Sequence, residues 1–512
     1  MNHDPSPQTA KRTLFLLAYC LLLYLLFLWQ VPLLDPDEPV YGETAKEMIG
    51  TGDFLSPRIY GDFWYDKPPL FYWMEAASFS LFGVSTLTAR LPSALLGAAS
   101  VLYLYRAARP LLGESAAFLG AFIFASSLET VVLARSAVTD MALTASLTVA
   151  MMAFLRRQYA LAYIACGFAL LAKGPVGFGF PALIVGLWLL FQKKFTWKPI
   201  LSLRWYWGIP LACLVGCPWY IYMTLQHGSP FIDTFLGYHN LARFAQPEHA
   251  GKDHWWLYIV VLAAGCFPWS GAAAGMLGRL GAWRRDPVRL YLIVWAAFIF
   301  LFFSLSSTQL FSYIFPMYPP LSLLSALYIL ELRKGGGRAW FLFWHGFFLL
   351  ITMAALCLAP LMPMGGTAVK YGFPAVLLLL GAVSLLSFYR GRFRAFCLAQ
   401  GASALLLTGG VWFLFAPAVT EDFTSAHISA KAAASEKDPV LPLYIDPFYR
   451  PAAAFYHDLY GKALPLRQIQ SIEGPAYLLV QKRIYEDWPP EDRASLTTLW
   501  ETKTALFLEK KG

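Results

Sequence analysis

Long apolar runs separated by short polar segments recur along most of this 512-residue chain. Runs of about 18–22 apolar residues match the length that an α-helix needs to cross a bilayer. The first run, 13–34, has no charged side chain and no small-x-small cleavage pattern, so we interpret it as a signal anchor. We predict about thirteen membrane-spanning helices, at residues 13–34, 88–106, 115–133, 138–155, 158–173, 176–192, 206–225, 256–278, 289–307, 310–330, 339–359, 372–389 and 395–417.

Two parts of the chain are too polar to span a bilayer. In the loop 35–87, residues 41–48 predict a short helix, and Pro39 suits its start. Residues 418–512 predict helices at 426–436 and 450–460, and strands at 440–445, 476–481 and 505–508. The predicted fold class is an α-helical polytopic membrane protein with a small C-terminal α/β soluble domain. The predicted domains are 1–417, with outer loops 35–87 and 226–255, and 418–512.

The composition and the charge pattern support this interpretation. The chain is 58% hydrophobic and only 14% charged, which is not typical of a soluble globular protein. All seven cysteines lie in or at the ends of apolar runs, so we expect neither disulfides nor a thiolate metal site. We see no nucleotide motif, and the partners we expect for the chain include membrane lipids and exclude nucleic acid.

The net charge of +9 is concentrated in alternate loops. Such alternation is the positive-inside pattern, in which basic clusters face the cytoplasm. It predicts a cytoplasmic N-terminus, and a periplasmic position for the loop 35–87 and the C-terminal domain. The basic clusters lie at residues 11–12, 106–109, 156–157, 193–198, 279–289, 333–338 and 390–394.

Candidate chemistry is concentrated in the first outer loop, at Asp37-Glu38 and Asp66-Lys67. A carboxylate at a membrane surface can position or deprotonate an attacking group, and partial burial would raise its pKa. A lysine held before two prolines at this depth suits the phosphate of a lipid. The alternative for the two acids is that they cap a helix in contact with solvent. The alternative for Lys67 is a snorkelling anchor that is paired with Asp66.

Two further charged residues fall at the outer ends of predicted spans, Asp140 and Lys173. Ionisable groups near the membrane are costly and face the protein interior, which makes each a functional candidate. A structural role remains the alternative for Asp140, and a plain helix-end charge for Lys173.

The outer loop 226–255 holds three of the eight histidines, at 239, 249 and 254. His249, together with Asp66, is a candidate for a divalent metal, although the spacing is a weak metal signature. Arg243 is the better candidate ligand, because its planar fork suits a phosphate.

Several short motifs together resemble the ArnT-like glycosyltransferases, relatives of the protein O-mannosyltransferases in the GT-C class. The resemblance covers nearly the whole chain. The motifs are Asp37-Glu38, 45–48, Gly52-Asp53, 66–73, Phe82-Gly83, 89–93, 173–175, His239-Asn240, Arg243-Phe244 and 313–316.

This resemblance implies sugar transfer from a polyprenyl phosphate to an acceptor on the outer side of a bacterial inner membrane. In the founding members the sugar is 4-amino-4-deoxy-L-arabinose and the acceptor is lipid A. It implies that Asp37 is the catalytic or acceptor-positioning acid, that Lys67 is the donor-phosphate ligand, and that Asp140 supports the reaction centre and Arg243 the polar loop above it. From the residues themselves, Glu38 is a further catalytic candidate, and Lys173 and Arg243 are further candidates for binding the donor phosphate. No cofactor is required; a divalent metal remains open.

The chain departs from the family pattern at Val40, Asp66 and Thr308-Gln309. Val40 and Gln309 stand where cations are often found, which leaves the acceptor open between lipid A and another lipid, glycan or protein. The rival functions are a protein or glycan O-glycosyltransferase of the mannosyltransferase type, a lipid flippase, and a non-enzymatic envelope assembly protein. A flippase predicts charges near the membrane midplane and paired repeats, which the sequence lacks.

Overall fold

The computed structural model describes residues 7–242, 256–333, 338–358, 371–415, 420, 424–435, 441–465 and 471–511. The described chain is mainly helical. Its α-helices are Pro7–Leu25, Asp37–Thr51, Leu70–Phe82, Thr86–Leu112, Glu114–Ser126, Leu128–Ala134, Asp140–Leu155, Tyr159–Lys173, Val176–Phe191, Trp197–Ser202, Trp205–His227, Ser229–Phe231, Leu257–Gly265, Ser270–Gly275, Leu280–Trp283, Pro287–Ser304, Tyr318–Arg333, Arg338–Leu358, Phe373–Tyr389, Phe393–Gly409, Ala426–Ser435, Arg450–His457, Lys482–Glu486 and Pro490–Ala494. Met276–Arg279 and Phe311–Met317 are 3-10 helices, and Ile232–Ala242 and Gly410–Phe415 are π-helices.

Many of these helices have the character of membrane spans. Five described stretches are long and apolar enough to cross a bilayer, or up to six if the bent pair Glu114–Ser126 and Leu128–Ala134 forms one span. Further apolar helices of 10–17 residues are Asp140–Leu155, Tyr159–Lys173, Val176–Phe191, Arg338–Ala354 and Phe373–Tyr389. The chain is therefore a helical membrane protein, while the count of thirteen spans stays a prediction.

The chain divides into two compact units. The first comprises Met1–Leu26, Tyr65–Phe71 and Ser93–Gly410, and the second comprises Phe27–Trp64, Tyr72–Pro92 and Val411–Gly512. This division differs from the predicted boundary after residue 417, because the second unit contains parts of the first outer loop as well as the C-terminal residues.

The first predicted span ends earlier than its hydropathy indicates. The helix stops at Leu25, although the apolar run continues to residue 34. Within the first unit, the buried Arg135 guanidinium donates to the carbonyl oxygens of Leu23 and Leu26 at 2.8 and 2.6 Å. These side-chain donors satisfy two carbonyls at the end of the helix, which lowers the cost of the turn that follows.

The predicted span 115–133 is also interrupted. Glu114–Ser126 and Leu128–Ala134 meet at an angle of 62°. The break is at Ser127, whose backbone is extended, and the N–H of Leu128 donates to the carbonyl of Phe267 at 2.9 Å. A partner from a distant segment therefore replaces the hydrogen bond that a continuous helix would make.

In the second unit, the helix predicted at 41–48 spans Asp37–Thr51. Two acids in its first turn favour this start, because negative charge is stabilised at a helix N-terminus. Gly52, with φ of +70°, ends the helix in the left-handed conformation that glycine adopts without strain.

The second unit also contains the predicted α/β domain. Its strands are β3 (Leu443–Ile445), β4 (Lys462–Ala463), β5 (Ala476–Gln481), β6 (Leu496–Glu501) and β7 (Ala505–Lys510), after a separate hairpin of β1 (Arg58–Ile59) and β2 (Asp62–Phe63). The sheet order is β4-β3-β5-β7-β6, with β3 parallel to both neighbours and β7 antiparallel to both of its own.

Strand β5 is central because both of its faces are covered. Leu479 packs in one apolar cluster with Phe507 and the helix residue Ala453. Leu478 packs in the other with Leu508. The two predicted helices and the three predicted strands of this domain are confirmed. The sequence reading missed β4, which has two residues, and β6, whose side chains are only partly covered.

Helices Tyr159–Lys173 and Trp205–His227 of the first unit pack closely where one of them has glycine. A Cβ atom at Gly208 would lie 2.0 Å from a ring carbon of Tyr163, which is far inside the contact distance. The glycine therefore lets the tyrosine ring lie against the backbone of the neighbouring helix.

Gly208→Ala should therefore lower the melting temperature of the detergent-solubilised protein, because overpacking typically costs about 1–3 kcal/mol. Gly179→Ala is the matched control, since a Cβ there would meet no atom within 4 Å. Thermal unfolding followed by intrinsic fluorescence gives both values. Equal melting temperatures for the two variants would contradict the close packing at Gly208.

Candidate active site

A buried arginine organises the acidic motif in the second unit. Arg90 is 2% exposed, and all five of its N–H groups have partners. Its Nε and Nη2 donate to the two carboxylate oxygens of Glu38 at 2.8 and 2.6 Å. Its Nη1 and Nη2 also donate to the carbonyls of Leu28, Val31 and Pro32 at 3.2, 2.7 and 2.9 Å. This bidentate pair fixes Glu38 and the segment before it in one arrangement.

Asp37 is the first residue of the helix Asp37–Thr51, and its side chain is exposed. Glu38, the next residue, is buried and also accepts the N–H of Leu34 at 2.8 Å. The two predicted acids therefore differ: one is presented at a helix N-terminus and the other is enclosed in an ion pair.

Asp35 is a partly buried acid at the end of the first apolar run, and the sequence pattern alone gives it no role. Its Oδ2 accepts the N–H of Ser425 at 2.6 Å, and its Oδ1 is enclosed with no hydrogen-bond partner among the described residues. Burial raises the pKa of Asp35 from its usual value of 3.8 to about 7, and the nearby carboxylates of Asp446 and Glu38 add to the effect.

The first unit contains two lysine–carboxylate pairs. Lys173 Nζ donates to Asp140 Oδ1 at 2.7 Å, and Lys67 Nζ donates to Asp66 Oδ1 at 2.7 Å. The Asp66 carboxylate lies near enough to Lys173 to act on it electrostatically. The fold thus brings together four of the predicted site residues.

The backbone explains how these side chains reach each other. Asp140 is the first residue of its helix and Lys173 the last residue of the next one, so two antiparallel helices place them at the same level. Tyr313 adds to this group, since its ring centroid lies 5.0 Å from Lys173 Nζ. Each lysine side chain is largely enclosed, at 16% exposed for Lys67 and 17% for Lys173.

Arg243 and His249, predicted as a phosphate ligand and a metal ligand, lie outside the described residues. Within the described ranges, no three histidine, cysteine, aspartate or glutamate side chains are grouped as a metal site would require. Asp66, the other predicted metal ligand, is paired with Lys67.

Arg90 lies within the motif 89–93, but the sequence alone gives it no role. The available signal was a lone arginine near the start of a long apolar helix, where a charge must be paired. For Asp35 the signal was weaker, because only the tertiary fold encloses it.

Comparisons with known proteins agree with this description. Residues 66–222 match the family Dolichyl-phosphate-mannose-protein mannosyltransferase. The chain is 28% identical over 448 residues to the undecaprenyl phosphate-alpha-4-amino-4-deoxy-L-arabinose arabinosyl transferase of Aeromonas hydrophila, covering 83% of this chain and 80% of that protein. It is 30% identical over 368 residues to the enzyme of the same name from Aeromonas salmonicida, covering 67% of this chain and 65% of that protein.

Among solved structures, the fold matches that of ArnT from Cupriavidus metallidurans bound to undecaprenyl phosphate. The TM-score is 0.79 at 20% identity, over 97% of each chain. These matches confirm the GT-C fold. They also confirm the resemblance to ArnT-like glycosyltransferases that the motifs predict, and the relatives themselves are arabinosyl transferases by name.

Replacing Glu38 should destabilise the protein, because the buried Arg90 would lose its counter-charge. Glu38→Gln keeps the size but leaves the Arg90 charge uncompensated, and breaking such a buried pair typically costs about 3–5 kcal/mol. The melting temperature should fall steeply. Lys482→Gln, which removes an ion pair from an exposed surface, serves as the control and should change it little. Similar changes in melting temperature in the two variants would show that the buried Arg90–Glu38 pair contributes no more to stability than an exposed ion pair.

Asp35 predicts a pH dependence of stability with a definite sign. Because its pKa is higher in the folded chain than the usual 3.8, the folded state binds the proton more tightly than the unfolded state. The contribution of the Asp35 carboxyl to the free energy of unfolding is therefore fully present below pH 3.8 and is lost as the pH rises to about 7.

Asp35→Asn should remove this loss. Its melting temperature relative to the unsubstituted protein should rise between pH 5 and pH 7, where the unfolded carboxyl is ionised and the folded carboxyl still holds its proton, and should level off above pH 7. Asp62→Asn, in the exposed hairpin, is the comparison. A constant difference across this range for Asp35→Asn would refute the shifted titration.

Proposed function

We propose that the chain is an inverting glycosyltransferase that transfers a sugar from a polyprenyl phosphate to an envelope acceptor. The observation that carries the proposal is the group formed by Lys173, Asp140, Lys67 and Asp66 in a chain with the ArnT fold. The Asp66 carboxylate pairs with Lys67 and also acts on Lys173, and two lysines linked in this way suit a phosphate. The names of the relatives supply the polyprenyl phosphate-linked sugar as the donor.

The donor half of the reaction rests on the lysines. When the bond between the anomeric carbon and the phosphate oxygen breaks, negative charge develops on the departing polyprenyl phosphate. Ammonium groups fixed beforehand stabilise that charge better than mobile water, because they need not reorient during the step. Asp140 and Asp66 hold Lys173 and Lys67 in position until the donor binds. Arg243 is a third proposed ligand of the same phosphate.

The acceptor half rests on Asp37. The acceptor oxygen attacks the anomeric carbon from the side opposite the leaving phosphate, which inverts the configuration. For a hydroxyl acceptor, Asp37 takes the proton as the new bond forms; for a phosphate acceptor, it orients the attacking oxygen. Its exposed position at a helix N-terminus leaves it accessible to an acceptor. Glu38 serves as a positioning residue, because Arg90 occupies both of its oxygens.

The substrates follow from the relatives' names. We propose 4-amino-4-deoxy-L-arabinose as the sugar and lipid A as the acceptor, with a protein or other glycan as the alternative acceptor. The proposed location is the bacterial inner membrane, with the N-terminus in the cytoplasm and the C-terminal residues in the periplasm. The lysines supply the charge stabilisation, so the proposal requires no metal. Asp66 with a ligand from the loop 226–255 would hold a divalent ion if one binds.

The test is transfer from a labelled polyprenyl-phosphate sugar in membranes that contain each variant. Asp37→Asn should lower turnover by roughly 10²–10⁴-fold, the usual contribution of acid–base catalysis. Lys67→Ala should lower it by roughly 10²–10³-fold, as loss of a preorganised charge does. Asp62→Asn, in the same outer loop, and Lys193→Ala should retain activity. Normal turnover of both site variants would exclude the proposed mechanism.

A further measurement identifies the substrates. Mass spectrometry of lipid A and surface glycans from cells with and without the active protein should show a mass difference in one of them, and that difference gives both the sugar and the acceptor. A difference confined to glycans or proteins would reject lipid A and leave the sugar-transfer mechanism intact.

A further inference from the structure

A second candidate binding site lies away from the lysine–carboxylate pairs but within the same unit. It is an open pocket of about 630 Å³ formed where two helices begin. Its lining residues are Arg157, Gln158, Tyr159, Ala160, Leu161, Arg204 and Trp207. No carboxylate lines it. The proposed sugar transfer assigns no role to these residues.

The packing of two helices creates the pocket. Helices Tyr159–Lys173 and Trp205–His227 approach closely because Gly208 leaves room for the Tyr163 ring, and the Tyr163 hydroxyl donates to the Leu203 carbonyl at 3.2 Å. The contact lies near the N-terminus of each helix, so the residues that precede the helices come together.

An arginine stands just before each of these helices. Arg157 and Arg204 have φ of 58° and 60°, the left-handed conformation, which ends the preceding segment and starts the new helix in another direction. Arg204 Nη1 donates to the Tyr206 hydroxyl at 3.0 Å, which orients its guanidinium. In the part of the chain that the structure describes, neither arginine is paired with an acid.

The helix ends add to this positive potential. Neither Gln158 nor Arg204, the residues at the two N-caps, makes a side-chain capping hydrogen bond. The first N–H groups of a helix carry partial positive charge, equivalent to about half an elementary charge per helix. Two such ends beside two arginines with no carboxylate in the lining form a pocket that is complementary to an anion.

The surroundings indicate that this anion is part of a lipid. The segment that leads into the second helix carries large aromatic side chains that are strongly exposed, with Phe195 54% and Trp197 65% accessible. Trp205, Tyr206 and Trp207 follow at 37%, 50% and 37%. Such rings are unfavourable in water and typical of the membrane interface, where they lie at headgroup level. The lysines of the same loop lie at 193, 194 and 198.

We propose that this pocket binds the phosphate of an anionic phospholipid headgroup, on the side of the membrane that the basic loops predict to be cytoplasmic. Arg157 and Arg204 contact the phosphate, the helix N-termini complete its environment, and Tyr159 and Trp207 contact the glycerol and upper acyl region. The role of such a site is to anchor the cytoplasmic ends of these two helices. It does not depend on the proposed sugar transfer.

The experiment uses the full chain, delipidated in detergent. Phosphatidylglycerol or phosphatidylcholine is titrated in, and the bound lipid is counted by native mass spectrometry. Arg157→Gln combined with Arg204→Gln should weaken phosphatidylglycerol binding about 30-fold, from the contribution expected of two arginines near an anionic lipid. Arg284→Gln combined with Arg285→Gln is the matched control, because it removes the same charge from another exposed basic loop.

Preference for phosphatidylglycerol over phosphatidylcholine, lost only in the pocket variant, would support the site. Equal binding of the two lipids, or equal loss in both double variants, would overturn it. Full displacement by millimolar inorganic phosphate would also overturn it, because the ligand would then be a free anion. Thermal unfolding of each variant without added lipid separates loss of binding from loss of fold.

Discussion

The arrangement of the acidic motif depends on one buried charge, the guanidinium of Arg90. A buried cation is tolerated only when its charge and its donors are satisfied, and here Glu38 supplies the charge and three carbonyls take the remaining donors. The same contacts hold residues 28–36 of the second unit in a non-helical path that leads into the helix Asp37–Thr51. Asp37, the proposed catalytic carboxylate, stands beside Glu38 in the chain, so its position follows from this pair.

The lysines of the first unit follow the same physical rule. Lys173 and Lys67 are largely enclosed, and each is paired with a carboxylate at 2.7 Å. A phosphate that enters such a group can interact with cations that are already oriented, at the cost of weakening their pairs with Asp140 and Asp66. In the proposed reaction, affinity for the donor and release of its phosphate would be set by the same four side chains, which suits an enzyme that must let its product leave.

Charge composition distinguishes this group from the basic pocket of the same unit. The lysines lie beside carboxylates, whereas Arg157 and Arg204 have no acidic partner in the described ranges. Mixed charges suit a reaction in which a phosphate must bind and depart. Arginines without acids, surrounded by exposed aromatic rings, suit a ligand that stays bound, such as a structural lipid. Two phosphate-containing lipids would thus be bound by different chemistry.

Hydropathy and local pattern were sufficient for the membrane class, for two helices and three of the five strands of the C-terminal domain, and for the choice of Asp37, Lys67, Asp140 and Lys173 as candidates. These features depend on composition and on the spacing of residues that are close together in the chain. The early end of the first helix, the bend at Ser127 and the pairing of Glu38 with Arg90 were not predictable, because each depends on a donor or acceptor from a distant segment. Such partners meet only when the chain has folded, and the cost of burying an unpaired polar group then decides where helices stop.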